Sequence, residues 1–221
     1  VNPQALKKRH EQGWVDEVFE DLDKLAVRIE TAKAKKEALS LAYSGNIVDL
    51  WEFFARKNIE VALGSDQTSL HNPWAGGYYP AGVSFEDSQR LMVQDPAAFK
   101  QKVQASLVRQ VKAINTLASK GMYFFDYGNA FLLEASRAQA DILKPNGDFR
   151  YPSYVQDILG PLCFDYGFGP FRWVCTSGKS EDLDLTDQLA GQTLERLAAN
   201  APAEIREQMN DNLIWIRAAK K

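Results

Sequence analysis

Three polar segments carry residue types that can hold an anionic ligand: Ser44-Gly45-Asn46, Asp66 to His71, and Asp126-Tyr127-Gly128-Asn129. Each follows a short apolar run of strand length. All three would therefore lie at the carboxyl ends of their strands, the edge at which open parallel sheets bind ligands. Two of them lead into helices with Asn46 or Asn129 at or near the N-cap. A helix N-terminus offers unpaired N–H groups and the positive end of a dipole, which suit a phosphate. The pattern favours a nucleotide or another anionic ligand, although α/β domains of many functions share it.

Single residues in these loops admit two readings. His71 would donate a hydrogen bond or move a proton near neutral pH, or it would tie down a long loop. Its neighbours Gln67, Thr68 and Ser69 favour the first, because side chains that hydrogen-bond are dense there. Tyr127 would stack on a nicotinamide or a ribose, or it would be the last core aromatic of a strand. Arg172, between Phe171 and Trp173, would grip a carboxylate in a bidentate fork or bond loop carbonyls within an aromatic cluster. Other chemistries lack their residues. No G-x-G-x-x-G occurs, and no G-x-S-x-G elbow. His10 and His71 lack ligand spacing, so no metal site is expected. Cys163 and Cys175 sit beside apolar residues and read as small core residues. Two free thiols fit a reducing cytosol.

The elements that position these loops follow from periodicity. Leu22, Leu25, Ala26, Ile29 and Ala32 share one helical face over 21–37. A strand at 38–43, a helix at 47–57 and a strand at 59–63, ended by Gly64, predict a parallel pair joined by a crossover. From Ser65 to Gly82 the periodicity stops for eighteen residues, long for a loop in a compact domain, and its aromatics argue against disorder. Helical spacing returns at 85–94 and runs through Val103, Leu107, Val111, Ile114, Leu117 and Ala118. A third strand at 122–125, a helix to about Gln139, a turn region at 144–151 and a short helix at 154–159 follow. Residues 160–178 read as an ordered loop rich in Gly and aromatics. Helices at 182–199 and 203–219 close the chain, the second with Ile205, Met209, Leu213 and Ile216 on one face.

Composition sets the outer limits. Of 221 residues, 45% are hydrophobic and 25% charged, which is ordinary globular usage. A net charge of −3 leaves no basic excess to neutralise phosphates, so nucleic acid is not an expected partner. No apolar run approaches the ~20 residues of a membrane span. The chain starts at Val1 without Met, and Ala218 to Lys221 read as helix. Both ends are expected to be cuts in a longer protein.

Five motifs in order carry a family resemblance: Ser44-Gly45-Asn46, Gln67-Thr68-Ser69-Leu70-His71, Tyr78-Tyr79-Pro80-Ala81-Gly82, Asp126-Tyr127-Gly128-Asn129 and Gly169-Pro170-Phe171-Arg172-Trp173. Together they resemble urocanase (urocanate hydratase) from about residue 9 to about residue 190. Trp173 to Gly178 is more similar to the animal-type enzymes. The resemblance implies a lyase of histidine degradation that adds water to urocanate, giving imidazolone propionate. It implies tightly bound NAD used as an electrophile rather than as a hydride carrier. It implies a cytoplasmic homodimer and no metal. By residue, it implies NAD contacts at Asn46, Ile47, Gln67, Thr68, Ser69, Leu70, His71, Tyr78, Tyr79 and Tyr127. Ile47, Leu70 and Tyr79 stand where the family often has Ala, Ala and Leu. The glycine-rich loop and the acidic ribose ligand would precede Val1. The active-site cysteine would follow Lys221, so no catalytic residue is expected within these residues.

The expected fold is α/β, with a Rossmann-like partial parallel sheet of about three strands flanked by helices, and additional C-terminal helices. Residues 1–142 would form the second half of an NAD-binding domain and 143–221 the return to the enzyme core. Alone, the chain would be inactive. Two rival readings remain open on the residues. A dehydrogenase would reduce NAD reversibly, and a docking domain would bind no cofactor and expose an apolar patch.

Overall fold

The structure, a computed structural model, describes residues 3–66, 68–128, 130–162, 164–166 and 175–219, with the backbone alone for Thr68, Ser69, Tyr166, Ala218 and Ala219. The chain divides into two compact units, Val1–Val155 and Gln156–Lys221.

The first unit alternates helices and short strands: α1 (Pro3–Glu11), β1 (Glu17–Phe19), α2 (Leu22–Lys35), β2 (Leu41–Tyr43), α3 (Ile47–Lys57), β3 (Leu63–Asp66), α4 (Phe85–Gln94), α5 (Pro96–Ala118), β4 (Tyr123–Asp126) and α6 (Ala130–Arg137). Local chemistry sets the boundaries. The Asn46 side chain accepts from Val48 N–H and starts α3, and Asn58 ends it in the left-handed region at φ 58°. Asp95 caps α5, with Pro96 in its first turn.

The ladders are parallel, as expected, but paired differently. β1 pairs with β2 and β3 with β4. Among the described residues, no ladder joins β2 to β3. The strand expected at 59–63 forms at 63–66 instead. The exit from α3 uses up the earlier residues, because Ile59 N–H donates to the Phe54 carbonyl at 3.0 Å. Gly64 therefore lies inside the strand rather than ending it. A Cβ there would meet Met122 Sδ at 2.8 Å and Trp51 at 3.2 Å, so glycine lets α3 settle onto β3. Both α1 and β1 lie outside the elements that periodicity predicts.

The core is organised on α5. Phe99, Val103, Leu107, Val111, Ile114 and Leu117 are buried against Val48 and Trp51 of α3, Phe124 of β4 and Phe131 of α6. Each large apolar side chain buried there contributes about 1.5–3 kcal/mol. The 65–82 segment is ordered on this core by two 3₁₀ turns, Thr68–His71 and Pro73–Ala75, with Leu70 and Tyr78 buried.

The π-helical turn Tyr154–Leu159 spans the division between the units, and α7 (Gly160–Leu162) follows it in the second. Helices α8 (Ser180–Ala199) and α9 (Ala203–Ala219) form a hairpin. Its seam is Leu194, Ala198, Ile205, Met209, Leu213 and Ile216, which includes all four residues expected on one face. Cys163 and the Gly169–Trp173 motif with Arg172 lie outside the described residues. Cys175 is half-buried rather than in the core, and its thiol meets the Ser177 hydroxyl at 3.2 Å. Among the described residues, no helix is long and apolar enough to cross a membrane.

Candidate functional site

β3 and β4 end in register at a pair of aspartates, Asp66 and Asp126. Both are buried. Tyr127 N–H donates to the Asp66 carbonyl at 2.9 Å, which holds the two loop entrances side by side. The Asp126 carboxylate accepts from Gly128 N–H and from Leu132 N–H, each at 3.1 Å, and so caps the start of α6. Burial pushes its carboxyl above the usual range, against the pull of the Leu132, Gly128 and Phe131 amides and of His71. Ser153 Oγ donates to the Gly128 carbonyl at 2.6 Å and anchors the same turn.

A second cluster fixes the 78–81 segment beside this edge. Tyr78 Oη donates to Gln110 Oε1 at 3.0 Å, and Gln110 Nε2 donates to Asp66 Oδ2 at 2.9 Å. Asn46 Nδ2 donates to the Tyr79 carbonyl at 3.0 Å, while its Oδ1 caps α3. The amino end of α3 is thus shared by Asn46 and by Asp49 in its first turn. Burial raises the Asp49 carboxyl, with Arg109 opposing.

The residues expected to bind a cofactor fall into three groups. Asn46, Tyr79, His71 and Tyr127 form the first group, in which Asn46 is buried with both ends of its amide engaged and the other three are half-buried or exposed. His71 is exposed, and its Nε2 would lie 2.9 Å from a Cβ on Gly128, so glycine permits the imidazole to approach that turn. Tyr127 is 41% exposed. Its ring stacks on Tyr154 with centroids 5.2 Å apart and planes 9° apart, so it is not a core aromatic. Tyr79 is half-buried, edge-on to Phe85. Leu70 and Tyr78 form the second group. At 2% and 4% exposure their side chains belong to the core, and a ligand would meet only their main chains. Ile47 also packs on the core. In the third group, Gln67 lies outside the described residues, as do the side chains of Thr68 and Ser69; so does Asn129, the expected N-cap.

Elsewhere, an open groove of about 660 Å³ lies along α2 and the end of α3, lined by Ala26, Val27, Ala34, Phe53 and Ile59 among others. It contains none of the expected site residues and no converging buried polar groups, unlike the strand edge. Among the described residues, no cluster of His, Cys, Asp and Glu could hold a metal ion.

Comparison with known proteins gives the family. The family model of the urocanase Rossmann-like domain matches residues 1–158, and that of the urocanase C-terminal domain matches residues 161–221. The chain belongs to the urocanase family. It is 56% identical over 225 residues to a probable urocanate hydratase of Dictyostelium discoideum, which covers 99% of this chain. It is 54% identical to the urocanate hydratase of Mus musculus and 52% to that of Homo sapiens, each over 230 residues and the whole chain. The chain spans about a third of the length of these relatives, 33% to 34%. The first unit is thus a Rossmann-like urocanase domain, compatible with a nucleotide cofactor.

Three residues of this urocanase edge escape the sequence reading as individual candidates: Asp126, Gln110 and Ser153. The only sequence signal is that Asp126 follows directly on a strand-like run. Nothing local marks Gln110, whose partners are 44 and 32 positions away.

Proposed function

We propose that this chain is the segment of a urocanate hydratase that forms one side of its NAD site, and that the whole protein adds water to urocanate, giving imidazolone propionate. The observation that carries this reading is 52–56% identity across essentially the entire chain to relatives bearing that name. The contact chain at the strand ends supports the cofactor. Tyr127 N–H bonds the Asp66 carbonyl, Asn46 holds the Tyr79 carbonyl, and His71 stands beside Gly128, which leaves room where a side chain would press on the imidazole. NAD, when bound, supplies an electrophilic nicotinamide that makes the substrate's double bond open to water. The chain's own part is to hold and orient. His71 offers a hydrogen bond at the rim, Tyr127 a flat face for stacking, and residues 70 and 78 their main chains. The proposed whole is a cytoplasmic homodimer of histidine degradation, and the second unit leads back into its core.

Loss of urocanate ultraviolet absorbance tests this directly. The full-length protein should consume urocanate, and the 221-residue chain alone should not. No loss with the full-length protein despite bound NAD would overturn the reaction. Reversible reduction of that NAD by a substrate would point to a dehydrogenase instead. Equal turnover by the chain alone would overturn its proposed dependence on flanking residues.

A further inference from the structure

The buried face of α5 is apolar except at two positions one turn apart, Ser106 and Gln110. Gln110 has no exposed surface. An amide in such a place costs stability unless both its ends are bonded, and a leucine would fill the volume without that demand. Both ends of Gln110 are engaged, the carbonyl by Tyr78 and the amino group by Asp66. Burial also raises the Tyr78 phenol, so it keeps its proton and remains a donor. One turn earlier, Ser106 Oγ accepts from Ala81 N–H at 2.9 Å and donates to the Lys102 carbonyl at 2.7 Å. From the other side, Asn46 holds the Tyr79 carbonyl. The clamped segment is bracketed by Gly76 at φ 92° and Gly82 at φ 78°. Glycine adds no stiffness of its own, so the clamp sets the course of residues 78–81.

We propose that Gln110, seconded by Ser106, is a positioning residue for the cofactor edge: through Tyr78 and Asp66 it locks the 78–81 segment to the end of β3. It touches no ligand. It acts by fixing where Tyr79 and the main chain of Tyr78 stand relative to the loop that begins at Asp66. This inference rests on the NAD reading above.

The test uses the full-length protein and NAD itself. Gln110→Leu removes both bonds and keeps the bulk. The expected result is NAD affinity lower by on the order of tenfold, the effect of losing about one hydrogen bond of positioning, with the protein still folded. Amide exchange at Ala81, measured without cofactor, should quicken in the same variant. Gln110→Glu keeps the acceptor toward Tyr78 and sets a carboxylate against Asp66. Its NAD affinity should approach the parent value at acid pH, where one proton is shared between the two carboxyls, and fall as pH rises. The groups facing that position are Asp66 from β3 and the Tyr78 phenol, with Arg109 and Asp49 acting on Tyr78 from further away. Where Gln110→Leu gives no folded protein, Tyr78→Phe removes one link and keeps the ring. Parent-like NAD affinity and unchanged Ala81 exchange in these variants, with only a lower melting temperature, would overturn the proposal. A parent protein that binds no NAD would overturn the cofactor reading itself, and the exchange result would still show whether the clamp exists.

Discussion

The strand edge of the first unit and the α8–α9 seam of the second are held together by opposite means. The seam is apolar throughout: Leu194, Ala198, Ile205, Met209, Leu213 and Ile216. Among the described residues, every buried polar or charged side chain belongs to the first unit. Apart from the Ser88 hydroxyl, each has a hydrogen-bond partner, and several of those partners are single named atoms at the strand ends. An apolar seam asks for volume and accepts any side chain that fills it. A buried hydrogen bond asks for a particular atom in a particular place. The first arrangement holds two helices together, whereas the second fixes where a loop stands. The difference is what the proposed cofactor role of the edge would require.

The largest expected effect probes the seam. Met209→Ala should destabilise the α8–α9 hairpin by about 2–5 kcal/mol, read from its urea midpoint. Met209→Leu should cost less than about 1.5 kcal/mol. If leucine were as costly as alanine, the seam would be as particular as the edge and the contrast would fail.

Asp126 probes the other side. Asp126→Ala leaves the Gly128 and Leu132 amides without their acceptor, at a cost of about 1–3 kcal/mol. Refilling the space with Asp126→Leu should recover almost none of this, unlike the Met209 pair. The carboxyl also gives a pH signature. Its folded pKa is raised by burial above the unfolded value of about 3.9. Between those two values the native state binds the extra proton, so stability falls as pH rises through the window. The penalty is complete above the folded pKa and gone below the unfolded one. Asp126→Asn has no such penalty, so the stability advantage of the parent over Asp126→Asn should widen as pH is lowered from 7 toward 4. A gap that narrows would mean that the Leu132, Gly128 and Phe131 amides outweigh burial.

The same contrast explains what was legible in the sequence. Elements fixed by local chemistry lie where the periodicity and caps put them. Asn46 opens α3, and α3, α4 and α9 have the expected bounds. The seam was legible too, because an apolar stripe at helical spacing is a local pattern. The three-residue strand β1 was not, since Glu17-Val18-Phe19 is too short to show alternation. The pairing of β2 with β1 rather than with β3 depends on where α3 releases the chain. At the edge, the motifs mark the loops but not the duties within them. Leu70 and Tyr78 belong to loop motifs yet pack in the core. Gln110 lies on a helix whose apolar spacing passes over it, and its role exists only where Asp66 and Tyr78 meet it in space.

Asn46 separates capping from positioning. Asn46→Ala should cost about 1 kcal/mol, the usual loss of an N-cap. Asn46→Ser keeps a capping oxygen but is too short to hold the Tyr79 carbonyl. The expected outcome is near-parent stability with weakened NAD retention, measured as nucleotide released from purified full-length protein. Full retention would mean that Ser106 and Gln110 hold residues 78–81 without help from α3.

The smallest effect on stability is expected at Gly128, and it sharpens the comparison most. Its φ lies outside the left-handed region, so alanine meets no backbone strain there. Replacing glycine by alanine also trims the freedom of the unfolded chain, a gain of about 0.4–1 kcal/mol at a compatible site. Against that stands one contact, His71 Nε2 at 2.9 Å from the new Cβ. His71 is exposed, and its ring can swing away at little cost. Gly128→Ala should therefore leave the melting temperature almost unchanged while moving the imidazole. Displaced His71 ring resonances, together with weaker NAD binding at unchanged stability, would show a position kept open for the ligand edge rather than for the fold. A variant that binds NAD as the parent does would remove His71 from that edge. A variant that loses stability instead would place Gly128 with the packing residues, on the same side of the contrast as Met209.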